Sequence, residues 1–112
     1  MSDTNKLKLV LCWHMHQPWY RESLHGDYRL PWVYLHALKD YSDMVAHLEA
    51  HPNMRAVVNF TPVLLEQLED YAAQLNAWLD DGKPMQDPML NLLAGVSPVP
   101  QQGEGREKLI CD

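Results

Sequence analysis

LKLVLCWHMHQPWYRESLHGDYRLPW, residues 7–32, decides how the rest of the chain is read. Residues 7–13 are apolar except for Lys8, and no capping residues bound them. A short continuous apolar run of that kind predicts a strand covered on both faces, as in a parallel sheet, with Cys12 buried in it. Residues 14–31 show no clean period and contain Gly26 and two prolines, Pro18 and Pro31. Structureless connections longer than about 15 residues are uncommon in compact domains and tend to be functional. The stretch also follows the C-terminal end of the strand, where parallel α/β folds place ligands. Residues 14–31 are therefore read as a long active-site loop.

Working outward, Leu35, Leu38, Tyr41, Val45 and Leu48 recur in steps of three and four, which predicts a helix over about 32–50. His51-Pro52-Asn53 stops it. Residues 55–60, RAVVNF, read as a second strand. Thr61-Pro62 then offers an N-cap followed by proline at the first helical position. Leu64, Leu68, Tyr71, Leu75 and Trp78 make one stripe of that helix, which Gly82 and Pro84 close. Asp87-Pro88 repeats the start signal for a short helix through Leu90 and Leu93, ended by Gly95. Residues 96–105 are loop, and 106–112 begin a further element.

The order strand, loop, helix, strand, helix is the grammar of a parallel α/β fold. Two strands alone make a poor sheet, and a closed β/α barrel takes about 250 residues. The chain, 112 residues, thus reads as the incomplete N-terminal segment of a larger barrel, all of it one domain. Hydrophobic residues at 46% and charged residues at 21% exclude a disordered chain. A net charge of −6 without a basic run argues against nucleic acid and anionic membrane as partners. Cys12 and Cys111 show no CxxC spacing, and the apolar run at 9–13 is too short for a signal peptide. A cytoplasmic protein is expected.

The chemistry is concentrated in the loop. His14, His16, Gln17, Trp19, Tyr20, Arg21 and Tyr28 combine aromatic faces with imidazole, amide and guanidinium groups, a set suited to a sugar. Trp13 and Trp32 read equally well as core. His14 and His16, two residues apart, would face one side if the strand extends that far. That spacing also serves zinc, given a third ligand from Glu22, His25 or Asp27; a plain hydrogen-bonded pair is the simpler use. Asn59, ending the second strand, shares a rim with His16 or holds a neighbouring loop. Glu66, Glu69, Asp70, Asp80 and Asp81 read as the wet face and end of their helix. His47 reads as solvated, and His36 as surface or packing. There is no Gly-rich phosphate loop, GxSxG, CxxC or HExxH.

LVLCWHMHQP (9–18), YRLPWVYLHALKDYSDMV (28–45) and VVNFTPVLLEQLEDYA (57–72) together resemble the N-terminal part of glycoside hydrolase family 57. That family's first sequence region centres on His-Gln-Pro, here His16-Gln17-Pro18. The resemblance implies an incomplete (β/α)₇ barrel and activity on α-glucans as an amylase, 4-α-glucanotransferase or branching enzyme, with α-galactosidases also among the members. It implies a retaining mechanism with a glutamate nucleophile and an aspartate acid/base, needing no metal or other cofactor. Both carboxylates lie on later strands in the family, and no residue of this chain matches either motif. The chain is therefore expected to hold no catalytic residue and to be inactive alone. His16 carries over as a sugar-binding group, with His14, Gln17 and Trp19 as neighbours; Asn59 joins the candidate substrate-binding set from its place at the end of the second strand.

The implied partner is an α-glucan or malto-oligosaccharide, with self-association through uncovered barrel surfaces as a further expectation. Two other classes compete. One is a metal-dependent hydrolase, such as a carbohydrate deacetylase, using His14 and His16. The other is a non-enzymatic chain completed by a partner.

Overall fold

A computed structural model describes residues 6–111, with side chains described from 6 to 108; the side chain of Cys111, and Asp112, lie outside the described residues. The elements run β1 (Cys12–Met15), α1 (Trp32–His36), a π-helical turn (Ala37–Tyr41), α2 (Ser42–Ala50), β2 (Val57–Phe60), α3 (Pro62–Asp81), α4 (Pro88–Leu93) and α5 (Glu104–Cys111). This is a mixed α/β chain with two parallel strands and helices. It divides into two compact units, 6–19 with 33–69, and 20–32 with 70–111.

In the first unit, β1 and β2 pair in the register Cys12↔Val57, Trp13↔Val58, His14↔Asn59 and Met15↔Phe60. The strand is shorter and later than its apolarity predicts. Residues 7–11 lie outside the ladder, and Leu7, Leu9 and Val10 are exposed. An apolar run becomes a strand only where a partner supplies hydrogen bonds, and β2 supplies four residues. Cys12 is exposed rather than buried.

Side chains alternate across the pleat. Trp13, Met15, Val58 and Phe60 meet Met44 and Leu48 of α2 around an apolar hollow of about 190 Å³. Cys12, His14, Val57 and Asn59 occupy the other, exposed face. The helical run over 32–50 has the predicted ends, but its stripe is not sealed: Leu38 and Val45 are 62% and 56% exposed. The π-turn within it is accompanied by a close contact of His36 Nδ1 with the Asp40 carboxylate and by Ser42 Oγ donating to the Ala37 carbonyl at 3.0 Å.

The second unit has a polar core. Residues 20–29 form a small hairpin, with Arg21 and Tyr28 bridged antiparallel and Arg29 N–H donating to the Tyr20 carbonyl at 2.9 Å. Tyr28 is 1% exposed and stacks on Tyr71 with ring centroids 4.2 Å apart. Its hydroxyl donates to Asp70 at 2.8 Å, and the Arg21 guanidinium meets the same carboxylate at 3.2 Å. Arg21 also donates to the Gly26 carbonyl at 2.8 Å and to Gln86 Oε1 at 2.9 Å. The loop over 14–31 is thus not structureless. Arg21, Tyr28 and Asp70, read from the sequence as sugar-facing or solvated, are spent on this core.

Asp87 caps α4 by accepting from the Leu90 N–H at 3.0 Å and receives the Tyr71 hydroxyl at 2.6 Å. Gly82 and Gly95 follow α3 and α4 at φ +67° and +73°, the left-handed backbone that glycine adopts without strain. The last segment is helical from Glu104.

Replacing Asp87 by alanine removes a cap and leaves a buried hydroxyl without its acceptor, so unfolding in urea should show a loss of about 2–3 kcal/mol. Burial, followed by the hydrogen bond to Asp87, raises the Tyr71 pKa far above the ordinary value of 10.0. Burial and Asp70 raise that of Tyr28 in the same way. Both tyrosines stay neutral in the fold while the unfolded chain ionises. Their contribution is therefore complete below pH 10 and is lost as the pH climbs above it, by up to about 1.4 kcal/mol per pH unit for each tyrosine. Unfolding of the Tyr71→Phe variant should show a shallower slope above pH 10 than the wild type.

Candidate functional site

The C-terminal end of the parallel pair brings together His14, His16 and Asn59 of the first unit. His14 and Asn59 are register partners, and His14 Nδ1 donates to Asn59 Oδ1 at 2.7 Å. With Nδ1 carrying the proton, Nε2 becomes the acceptor of the neutral ring. His16 lies one residue beyond β1, and its ring meets that of His14 edge-to-face at 5.6 Å between centroids. His14, His16 and Asn59 are exposed, whereas Gln17 and Trp19 are half-buried. All five belong to the first unit.

A rim of this composition can do two things. The imidazoles and the amide donate and accept among hydroxyl groups, and an indole offers a flat C–H-binding face. Zinc needs at least three protein ligands. Among the described residues no group of three or more His, Cys, Asp or Glu side chains stands close enough to hold a metal ion. One nitrogen of His14 is already committed to Asn59.

Two residues hold the segment between the strand and Trp19: Thr61, read from the sequence only as a helix N-cap, and Gln67, which sequence reasoning did not single out. Thr61, just before α3, directs both its N–H (3.1 Å) and its hydroxyl (3.4 Å) to the Met15 carbonyl. Gln67 is fully buried and donates to the Pro18 carbonyl at 2.8 Å and to the Val63 carbonyl at 3.0 Å. A signal for Gln67 existed in the sequence. It falls three residues after Leu64 and four before Tyr71, a polar residue on the apolar stripe of its helix.

Other assignments sort by exposure. Glu66, Glu69, Asp80 and Asp81 are exposed on α3, and Trp32 is 44% exposed rather than core. His47 is exposed, and its carbonyl is 2.9 Å from His51 Nδ1. No helix is long and apolar enough to cross a membrane among the described residues.

A comparison with protein-family models matches residues 10–93 to Glycosyl hydrolase family 57. Searches of curated proteins and of solved structures found no match. The matched span covers β1, β2 and the helices through α4, and with them the whole rim.

Removing the Asn59 amide in Asn59→Ala should let the His14 proton exchange between the two ring nitrogens. Imidazole ¹⁵N shifts would move toward the averaged pattern of a free histidine. Because the bond is exposed, stability should change by less than about 1 kcal/mol.

Proposed function

The chain belongs to glycosyl hydrolase family 57, and on that premise we propose that its His14–Asn59 rim binds an α-glucan or malto-oligosaccharide. Membership implies glycoside hydrolysis or glycosyl transfer in carbohydrate metabolism. In the reading proposed here, β1 is the first strand of an incomplete (β/α)₇ barrel, and residues 1–112 are its N-terminal part. His16 binds the sugar at the scissile bond. His14, Gln17 and Asn59 complete the hydroxyl contacts, and Trp19 offers a stacking face. The single observation that carries this reading is the convergence of His14, His16 and Asn59 at the C-terminal edge of a parallel pair.

The chemistry follows from what a glycosidic bond requires. Retention needs a carboxylate to attack the anomeric carbon and a carboxylic acid to protonate the leaving oxygen, with the two groups about 5–5.5 Å apart. The rim holds neither group: its side chains are two imidazoles, two amides and an indole. Their part is to fix the sugar ring so that a nucleophilic carboxylate from outside these 112 residues meets its anomeric carbon in line and the acid reaches the leaving oxygen. Orientation of that kind accounts for a large share of a glycosidase's rate. Alone, the chain binds without turning over.

Isothermal titration with maltotriose should show saturable binding, and His16→Ala should weaken it roughly tenfold, the loss of one good hydrogen-bonding group. Incubation with starch or maltoheptaose should release no reducing sugar and no transfer product. Binding indifferent to His16→Ala, or turnover by the chain alone, would contradict the reading.

A further inference from the structure

His16 and Gln17 form a two-residue bridge between Met15, the last residue of β1, and Pro18. The strand pairing ends at Met15, and the Thr61 N–H on its carbonyl continues the rung pattern of the Val57 N–H on the Leu11 carbonyl, so the last ladder bond holds the peptide that leads into His16. Pro18 has no N–H by which it could be held. Both ends of the bridge are nevertheless fastened, and both to the start of α3. Thr61 donates twice to the Met15 carbonyl, and Gln67 donates to the Pro18 carbonyl.

Gln67 is the less expected of the two. An amide at 0% exposure is costly unless its hydrogen bonds are made, and an aliphatic residue would fill a helix stripe without that cost. Both hydrogens of its amide are used, one on the Val63 carbonyl a turn earlier and one on Pro18. The bond to Val63 fixes the orientation of the amide, and the bond to Pro18 transmits it to the loop.

We propose that Gln67, with Thr61, is a positioning residue for His16: the pair pins the backbone on both sides of the imidazole and holds the ring in one orientation. This rests on the reading of the rim as a sugar site. A bridge of two residues fixed at both flanks retains few backbone conformations, so the ordering entropy is met in folding rather than on binding.

The test uses the whole chain and two readouts. Gln67→Met keeps the length of the side chain and removes both donors. In this variant the imidazole signals of His16 should broaden or shift and the ¹⁵N–¹H order of Gln17 should fall. The signals of the helical His47 should stay in place, whereas those of His14, whose ring meets the His16 ring edge-to-face, should follow the His16 ring. Affinity for maltotriose should drop roughly tenfold, as expected when a binding group must be ordered by its ligand. Thr61→Val, which keeps the amide bond and loses the hydroxyl, should show a smaller change in the same signals, and Thr61→Ser should restore them.

His16 signals and affinity unchanged in Gln67→Met would overturn the proposal. If the wild-type chain fails to bind maltotriose, the sugar-site reading falls, and the His16 and Gln17 signals alone still decide the pinning. If Gln67→Met does not fold, the Thr61→Val and Thr61→Ser pair decides it by the same signals: no difference between them would overturn the proposal.

Discussion

The carbonyl of Met15 is the point on which the first unit turns. It ends β1 opposite Phe60, and it receives both donors of Thr61, the residue that opens α3. A four-residue parallel ladder is a weak element, since parallel pairs need cover and at least a third strand for independent stability. The Thr61 N–H continues the ladder by one rung, and its hydroxyl adds a bond that the ladder does not supply. The same contact fixes where the chain leaves the sheet, and hence where His16 begins. His14, inside the ladder, is placed by register; His16, outside it, is placed by α3.

The second unit is organised on a different principle. Its centre holds a tyrosine stack whose hydroxyls end on Asp70 and Asp87, with Arg21 beside Asp70. A partly buried ion pair contributes little by itself, because desolvation offsets attraction. Here each charged group also serves a geometric purpose. Arg21 ties the 20–29 hairpin through Gly26 and Gln86, and Asp87 begins α4. Such a network is costly when any member is removed, and it specifies one arrangement.

The sequence made some of this legible and concealed the rest for identifiable reasons. Helix limits were readable because capping chemistry is local: Asp87-Pro88 and Gly95 bound α4, and Pro62 and Gly82 bound α3, within a residue of expectation. The start of β1 was not, because apolarity in 7–11 says nothing about whether a partner strand reaches that far. The meeting of His14 with Asn59 follows from two strands ending at one rim, a consequence of parallel order. Arg21, Tyr28 and Asp70 were misassigned because their partners lie 42 to 65 residues away in sequence. No local pattern encodes such pairings. Gln67 left a trace as a polar interruption of a stripe, although only the fold reveals that Pro18 is what it holds.

Exposed apolar side chains in the first unit, among them Leu9, Val10, Val57 and Phe60, leave its small sheet without full cover. The central claim concerns the rim that this unit presents. It is tested most directly by mapping ¹H–¹⁵N shifts of the chain as maltotriose is added. The account predicts saturable movement confined to residues 14–19 and Asn59, with the helix over 104–108 unmoved. Movement elsewhere without the rim, or a spectrum that does not change at all, would contradict it.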